Sequence, residues 1–236
     1  FSELEKWVAQ GKYHSYRGLQ LEKLLVKIKA LIPKYVRIER LVRDIPGESI
    51  IEGSRVTNLR QELKRKYNAK CDCIRCREIR DTEIDPKRVK FHKQEYDSSG
   101  GKEFFLTYDQ QPQEAKRSGG NSTKKNVAEG HNQGDKLCSM LRLRFPSRNL
   151  VVPEIDNITA VIREVHTYGT HLKIDKKSRG DAQHIGFGKK LILEAEKIAK
   201  NAGYKKLAVI SSIGTREYYK KLGYKLEGTY MVKREL

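Results

Sequence analysis

The sequence predicts an α/β (α+β) protein with a mixed sheet, preceded by a mainly helical region, and three observations carry that expectation. Over residues 1–45 the apolar side chains recur mostly every three or four positions, the spacing of helices with one buried face. Beyond Pro86 the period drops to two and Gly, Ser and Asn become frequent, as in strands joined by turns. The end of the chain alternates in the order β-α-β-α-β, which adds a crossover to an otherwise antiparallel sheet.

Taken in order, Leu19, Leu21, Leu24, Leu25, Ile28, Leu31 and Ile32 form the apolar stripe of a helix that Pro33 ends. Tyr35 to Arg43 reads as a strand, with Val36, Ile38 and Leu41 inward and Arg37 and Arg40 outward. Asn58 is placed to cap a basic helix, Leu59 to Tyr67, which leads into Cys71. Val89 to Tyr96 and Glu103 to Tyr108, joined by D-S-S-G-G-K, predict a hairpin. Residues 110–134 are polar, Gly/Ser/Asn-rich and offer almost nothing to bury, so a mobile surface insertion is expected there. Strands follow at Leu137 to Phe145 and Thr159 to Tyr168, then a Gly/Lys loop and a helix from about Ile185 to Asn201 with Leu191, Leu193 and Ile198 as its apolar face. Strand Leu207 to Ser211, a short helix Thr215 to Leu222 and a last strand Lys225 to Lys233 close the chain. On this reading residues 1–85 form a linker region and residues 86–236 the α/β domain.

Lys and Arg number 49 against 30 Asp and Glu, a net charge of +19, while hydrophobic residues are only 37%. Charge on that scale covers a broad surface and points to a polyanionic partner. Nucleic acid leads, because phosphate contacts repay clustered cations through counterion release; an anionic membrane or acidic protein comes second. Composition alone also fits a basic protein with no such partner. There is no run of 18 apolar residues, and Ser2, Glu3 and Glu5 follow Phe1 at once, so neither a membrane span nor a secretory signal is expected and the location is read as cytoplasmic. A start at Phe1 rather than Met suggests a piece of a longer protein.

Two constellations carry chemistry. In C-D-C-I-R-C, the thiols of Cys71, Cys73 and Cys76 are spaced to coordinate a soft metal; zinc would need one more ligand, for which Cys138 is the candidate. Reduced neighbouring thiols with no metal are the plain alternative. In Q-H-I-G-F-G-K-K-L, Gln183 to Leu191, glycines at a helix entry let backbone N–H groups approach an anion while the helix dipole favours it. Gly186, Phe187, Gly188, Lys189 and Lys190 are therefore candidates to hold a pyrophosphate, against the reading of an unliganded turn. The preceding strand I-R-E-V-H-T-Y sets Glu164, His166 and Tyr168 on one face and Val165 and Thr167 on the other.

Strand, Q-x-x-G-x-G, helix, strand and an aromatic helix ending in Leu-Gly-Tyr resemble the GCN5-related N-acetyltransferase fold. The longer motifs R-E-V-H-T-Y-G, A-V-I-S-S-I-G-T-R-E-Y-Y-K-K-L-G-Y and L-E-G-T-Y-M-V-K, with R-D-I-P, N-L-R and C-x-C-x-x-C-R-E upstream, resemble the family of Elongator catalytic subunits over nearly the whole chain. That resemblance implies acetyl-CoA as donor, with its pyrophosphate on Gly186 to Lys190, its pantetheine arm along Glu164, Val165, His166 and Thr167, and a tyrosine of Y-Y protonating the departing thiolate. Tyr219 is expected on the cofactor side, with Tyr218 the second candidate and His166 a conditional third catalytic residue. It further implies tRNA as partner, modified at the wobble uridine, and Elongator-type partner subunits. S-adenosylmethionine and an iron–sulfur cluster would belong to a radical half whose cysteine signature is missing before residue 71, so Phe1 to about Ala69 would be the end of that half. Basic residues of the linker region, such as Arg60, Lys64, Arg65 and Arg75, are expected to contact the RNA. Two other readings remain: a protein lysine N-acetyltransferase using Glu164 or His166 as base, and a non-enzymatic tRNA-binding module that keeps acetyl-CoA as a structural ligand.

Overall fold

The computed structural model describes residues 2–43, 45–80, 82–113, 134–147, 152–169 and 186–236. The chain divides after Arg77 into two units. In the first, helix α1 (Glu3–Ala9) starts where the Ser2 hydroxyl accepts from the Glu5 backbone N–H. Helix α2 (Gly18–Leu31) forms where expected, but of its stripe Leu21, Leu24, Leu25 and Ile32 are only half-buried and Leu19, Ile28 and Leu31 are exposed. Lys29, four residues after Leu25 and three before Ile32, is only 2% exposed.

The strand expected at Tyr35 to Arg43 is not formed. The segment is extended, but its carbonyls are claimed elsewhere: Val36 accepts from the Ile74 backbone, Ile38 from Arg60 and Glu39 from Arg75. With its acceptors spent on a helix start and two guanidinium groups, no ladder is left to make. Helix α3 (Leu59–Tyr67) keeps its expected bounds and buries Leu59 and Leu63, although Asn58 caps it without a side-chain hydrogen bond. Helix α4 (Ile74–Arg77) is one turn inside the cysteine motif.

The second unit is a seven-stranded mixed sheet: β1 (Val89–Ser98), β2 (Gly101–Gln110), β3 (Lys136–Phe145), β4 (Thr159–Thr167), β5 (Lys206–Ile210), β6 (Lys225–Glu227) and β7 (Tyr230–Arg234), ordered β1-β2-β3-β4-β5-β7-β6. Among the described strands only the β4–β5 pair is parallel. Helix α5 (Phe187–Asn201) belongs to the connection between them, and helix α6 (Arg216–Lys220) precedes β6. The first hairpin turns on Ser99 and Gly100, both at positive φ, so the strands run further into the loop than expected. The final strand is in fact two. Gly228, at φ 56°, breaks it into a hairpin. The 114–133 part of the expected insertion and the Gly/Lys loop at 170–185 lie outside the described residues.

Leu191, Ile192, Ala195 and Ala199 of α5 pack onto Leu106, Leu141, Leu143, Ile162, Leu207 and Met231 of the sheet. Leu193 does not join them; at 47% exposed it points to solvent, because the buried stripe runs one residue off the expected phase. Leu141→Ala should therefore cost about 2–5 kcal/mol in urea unfolding. Leu193→Ala should stay within about 0.5 kcal/mol of the parent.

Candidate functional site

The site grows from an interruption in the sheet. β4 pairs with β5 only from Thr159 opposite Lys206 to Ile162 opposite Val209, yet it continues to Thr167. At the same point Arg163 is the extra residue of a bulge, since Leu143 faces Ile162 and Arg142 already faces Glu164. Beyond Ile162 the strand keeps its β3 partner but has none on the β5 side among the described residues. Its backbone edge there lines a notch able to pair with an extended ligand.

The first turn of α5 closes the notch. Gly186 precedes it at φ 72° and ψ 23°, a left-handed conformation that side chains disfavour, and no side chain caps the helix. A Cβ on Gly186 would meet nothing within 4 Å, whereas one on Gly188 would lie 3.7 Å from the Tyr218 hydroxyl and 3.9 Å from Thr167 Oγ1. Thr167, Gly188 and Tyr218 thus converge. Among the described residues no side chain caps this helix start, which with the helix dipole makes the turn able to hold an anion. Lys189 and Lys190 are exposed at its rim, with the Lys190 ammonium 5.5 Å from the centre of the Phe187 ring.

The Phe187 side chain departs from its expected role. It is buried with Ile79, Ile84 and Cys138 and stacks on Tyr108 at 4.9 Å, so it anchors the helix start and leaves only its backbone for a ligand. Gln183, His184 and Ile185 lie outside the described residues.

The tyrosine pair also resolves against expectation. Tyr219 is 7% exposed and sits in the main core, 5.7 Å from the Tyr224 ring, while Tyr218 is 43% exposed with its hydroxyl toward Gly188. Adjacent helix positions diverge by about 100°, and the sheet claims one of them. Tyr218 is the phenol facing the notch. Burial raises its pKa, so it stays a proton donor at neutral pH.

Glu164 and His166 occupy the other face of β4, and Val165 packs toward the α5 core. His166 Nε2 lies 3.0 Å from Glu164 Oε1, and Arg142 Nε donates to Glu164 Oε2 at 2.8 Å. Those two partners, His166 first, lower the Glu164 carboxyl to about 2. Arg142 also donates to the Tyr96 hydroxyl at 2.9 Å, which donates to Glu103 at 2.8 Å. Burial opposes ionisation of Glu103, yet Tyr96, Arg163 and Arg144 outweigh it and hold the carboxyl below its ordinary range. The whole face is one connected polar network. Sequence reasoning missed its β1–β3 members, although the alternation of Arg142 and Arg144 with leucines in β3 was their signal.

In the first unit Cys71, Cys73 and Cys76 bring their sulfurs within 4.8 Å of one another, a group able to hold a metal ion. Hydrogen bonds from Cys71 and Cys76 favour the Cys73 thiolate, and donating to Cys73 keeps Cys71 protonated. Two cations stand over Cys76: Arg60 Nη1 at 3.2 Å and Lys29 Nζ at 3.8 Å. Cys138 is not part of this group. It lies in β3 of the second unit, donates to the Lys136 carbonyl at 3.6 Å, and burial among apolar side chains pushes its thiol up to about 12. It remains a protonated core residue, not the fourth ligand expected of it.

Comparison with known proteins shows what the chain is similar to. Residues 1–68 match the Radical_SAM C-terminal domain. The chain is 36% identical over 239 residues to the tRNA uridine(34) acetyltransferase of Dehalococcoides mccartyi, covering 98% of this chain and 47% of that protein. It is 37% identical over 231 residues to Elongator complex protein 3 of Danio rerio, covering 94% of this chain and 38% of that protein. A solved structure of the archaeal Methanocaldococcus infernus Elp3 superposes with a TM-score of 0.78 at 33% identity, covering 99% of this chain and 52% of that one. The chain spans less than half the length of these two curated relatives. No helix among the described residues is long and apolar enough to cross a membrane.

Protein purified in reductant should carry about one metal ion per chain by elemental analysis. Cys73→Ser should lose it, and Cys138→Ser should keep it.

Proposed function

We propose that this chain is the acetyl-CoA-binding part of an enzyme that modifies the wobble uridine of tRNA. The observation that carries the reading is the β4–β5 notch with Gly186, Gly188 and Tyr218 at its head, in a chain similar along 98% of its length to a tRNA uridine(34) acetyltransferase. Bound acetyl-CoA supplies an activated acetyl group. Gly186 and the first N–H groups of α5 hold the pyrophosphate, with Lys189 and Lys190 at the rim. The edge of Arg163 to Thr167, without a partner on the β5 side among the described residues, would pair with the pantetheine amides and orient the thioester toward Tyr218. The Tyr218 hydroxyl would be placed to give its proton to the thiolate as the acetyl C–S bond breaks.

The three linker thiolates fit zinc in donor type and crowding. A divalent ion with three thiolates carries one negative charge, which the buried Lys29 offsets. Zinc there would pin α2, α3 and α4 together. The C-x-C-x-x-C spacing differs from the C-x-x-x-C-x-x-C signature of the radical half.

The lysine acetyltransferase reading is weaker on chemical grounds. Glu164, held near 2, is a poor base at neutral pH, and its carboxylate is already committed to Arg142 and His166. A surface of net charge +19 would also repel basic tails.

Gly186→Glu and Gly188→Glu each put a carboxylate where the pyrophosphate would lie, so calorimetry should find acetyl-CoA binding abolished. Acetyl-CoA hydrolysis should rise on addition of tRNA. Tyr218→Phe should lower that stimulated rate by about 10²-fold with little change in KM, whereas Tyr219→Phe should leave it near the parent value.

A further inference from the structure

A cavity of about 460 Å³ lies wholly within the first unit, walled by residues 39–42, 57–61 and Arg75. Three of its lining side chains are arginines, Arg40, Arg60 and Arg75, and one is an acid, Glu39, which leaves a net charge of +2. We propose that this cavity binds a phosphodiester of an RNA strand. The proposal rests on the tRNA reading above and names one place where the backbone is gripped.

The guanidinium groups are set in advance. Arg60 Nη2 donates to the Ile38 carbonyl at 2.7 Å while its Nη1 meets Cys76 Sγ at 3.2 Å, and Arg75 Nη1 donates to the Glu39 carbonyl at 2.6 Å. Carbonyl oxygens orient an arginine without neutralising it, so the fork reaches a ligand at little further entropic cost. The Glu39 carboxylate, 3.5 Å from Arg75, is exposed and shared with Arg37, so its pull on Arg75 is screened. Lys29 Nζ also stands at Cys76 Sγ, so Arg60 shares that sulfur with a second cation. The segment at Ile38 and Glu39 fails to become a strand because its carbonyls hold these two arginines. Its irregularity is the frame of the cavity.

The walls also say which phosphate. None of the lining residues is aromatic, so no base can stack and a free nucleotide would be held by one end only. A backbone phosphate needs nothing more than the arginines, and such contacts position RNA without reading its sequence.

The test uses the metal-loaded chain and a tRNA transcript in filter binding across a range of KCl. Arg40→Gln with Arg75→Gln removes two charges and touches no thiol. The expected result is a several-fold weaker affinity for every tRNA tried and a salt slope smaller by about 0.7–0.9 for each phosphate no longer neutralised, at unchanged metal content and acetyl-CoA affinity. A steep parent slope that the double variant preserves overturns the cavity and leaves the tRNA reading standing. A parent that shows no salt-dependent tRNA binding overturns the tRNA reading itself. Calorimetry with inorganic phosphate at matched ionic strength is the third arm: phosphate heat that vanishes in the variant beside an unchanged tRNA slope means a small-anion site and refutes the RNA assignment. Should the double variant lose its melting transition, Arg40→Gln alone, at an exposed position, carries the same outcomes.

Discussion

Parallel pairing between β4 and β5 lasts for four residue pairs and then stops, and the architecture of the second unit turns on that stop. Below it, Ile162 and Val209 share the core with Leu191 and Ile192 of α5, so both strands and the helix are locked by burial worth about 1.5–3 kcal/mol for each large side chain. Above it, the bulge at Arg163 interrupts the register with β3, and among the described residues β4 has no partner on its β5 side. The same core that holds the strands together buries Tyr219, which forces its neighbour Tyr218 outward over Gly188. A notch, a helix N-terminus and a phenol therefore meet through one packing solution.

The two faces of β4 do different physical work. Toward α5 it presents Val165 and Thr167, the side on which Gly188 and Tyr218 gather. Toward the other side it presents Glu164 and His166, embedded in a network that runs through Arg142 and Tyr96 to a buried Glu103. A buried carboxylate is tolerated only when it is paired, and here three arginines and a tyrosine share two carboxylates. The result is a connected platform with one more arginine than carboxylates, and its ionised Glu164 is better suited to holding His166 than to accepting protons.

In the first unit the organising element is not a core of leucines but a knot of sulfur and cations. Lys29 and Arg60 approach Cys76 from α2 and α3, and carbonyls of the chain between those helices accept from Arg60, Arg75 and the start of α4. Each interaction alone is modest. Together they explain why a segment patterned like a strand is held as an extended connector.

Much was legible from periodicity and spacing. The bounds of α3, the existence of each strand from β1 to β5, the thiol trio and the glycine turn before α5 all rest on local chemistry: side-chain alternation, helix capping, ligand spacing and the freedom of a residue without Cβ. What remained was decided by partners distant in the chain. Helix phase on α5 chose Ile192 over Leu193, the sheet took Tyr219 rather than Tyr218, an apolar pocket took Cys138 and Phe187, and a buried lysine appeared on an apolar stripe because thiols lay opposite it. The sequence by itself determined which segments could be helix, strand or anion-binding turn, since those preferences live within a few residues. Only the tertiary structure decided which of two adjacent side chains faces the core, because that choice is a competition for buried area and hydrogen-bond partners that no local pattern contains.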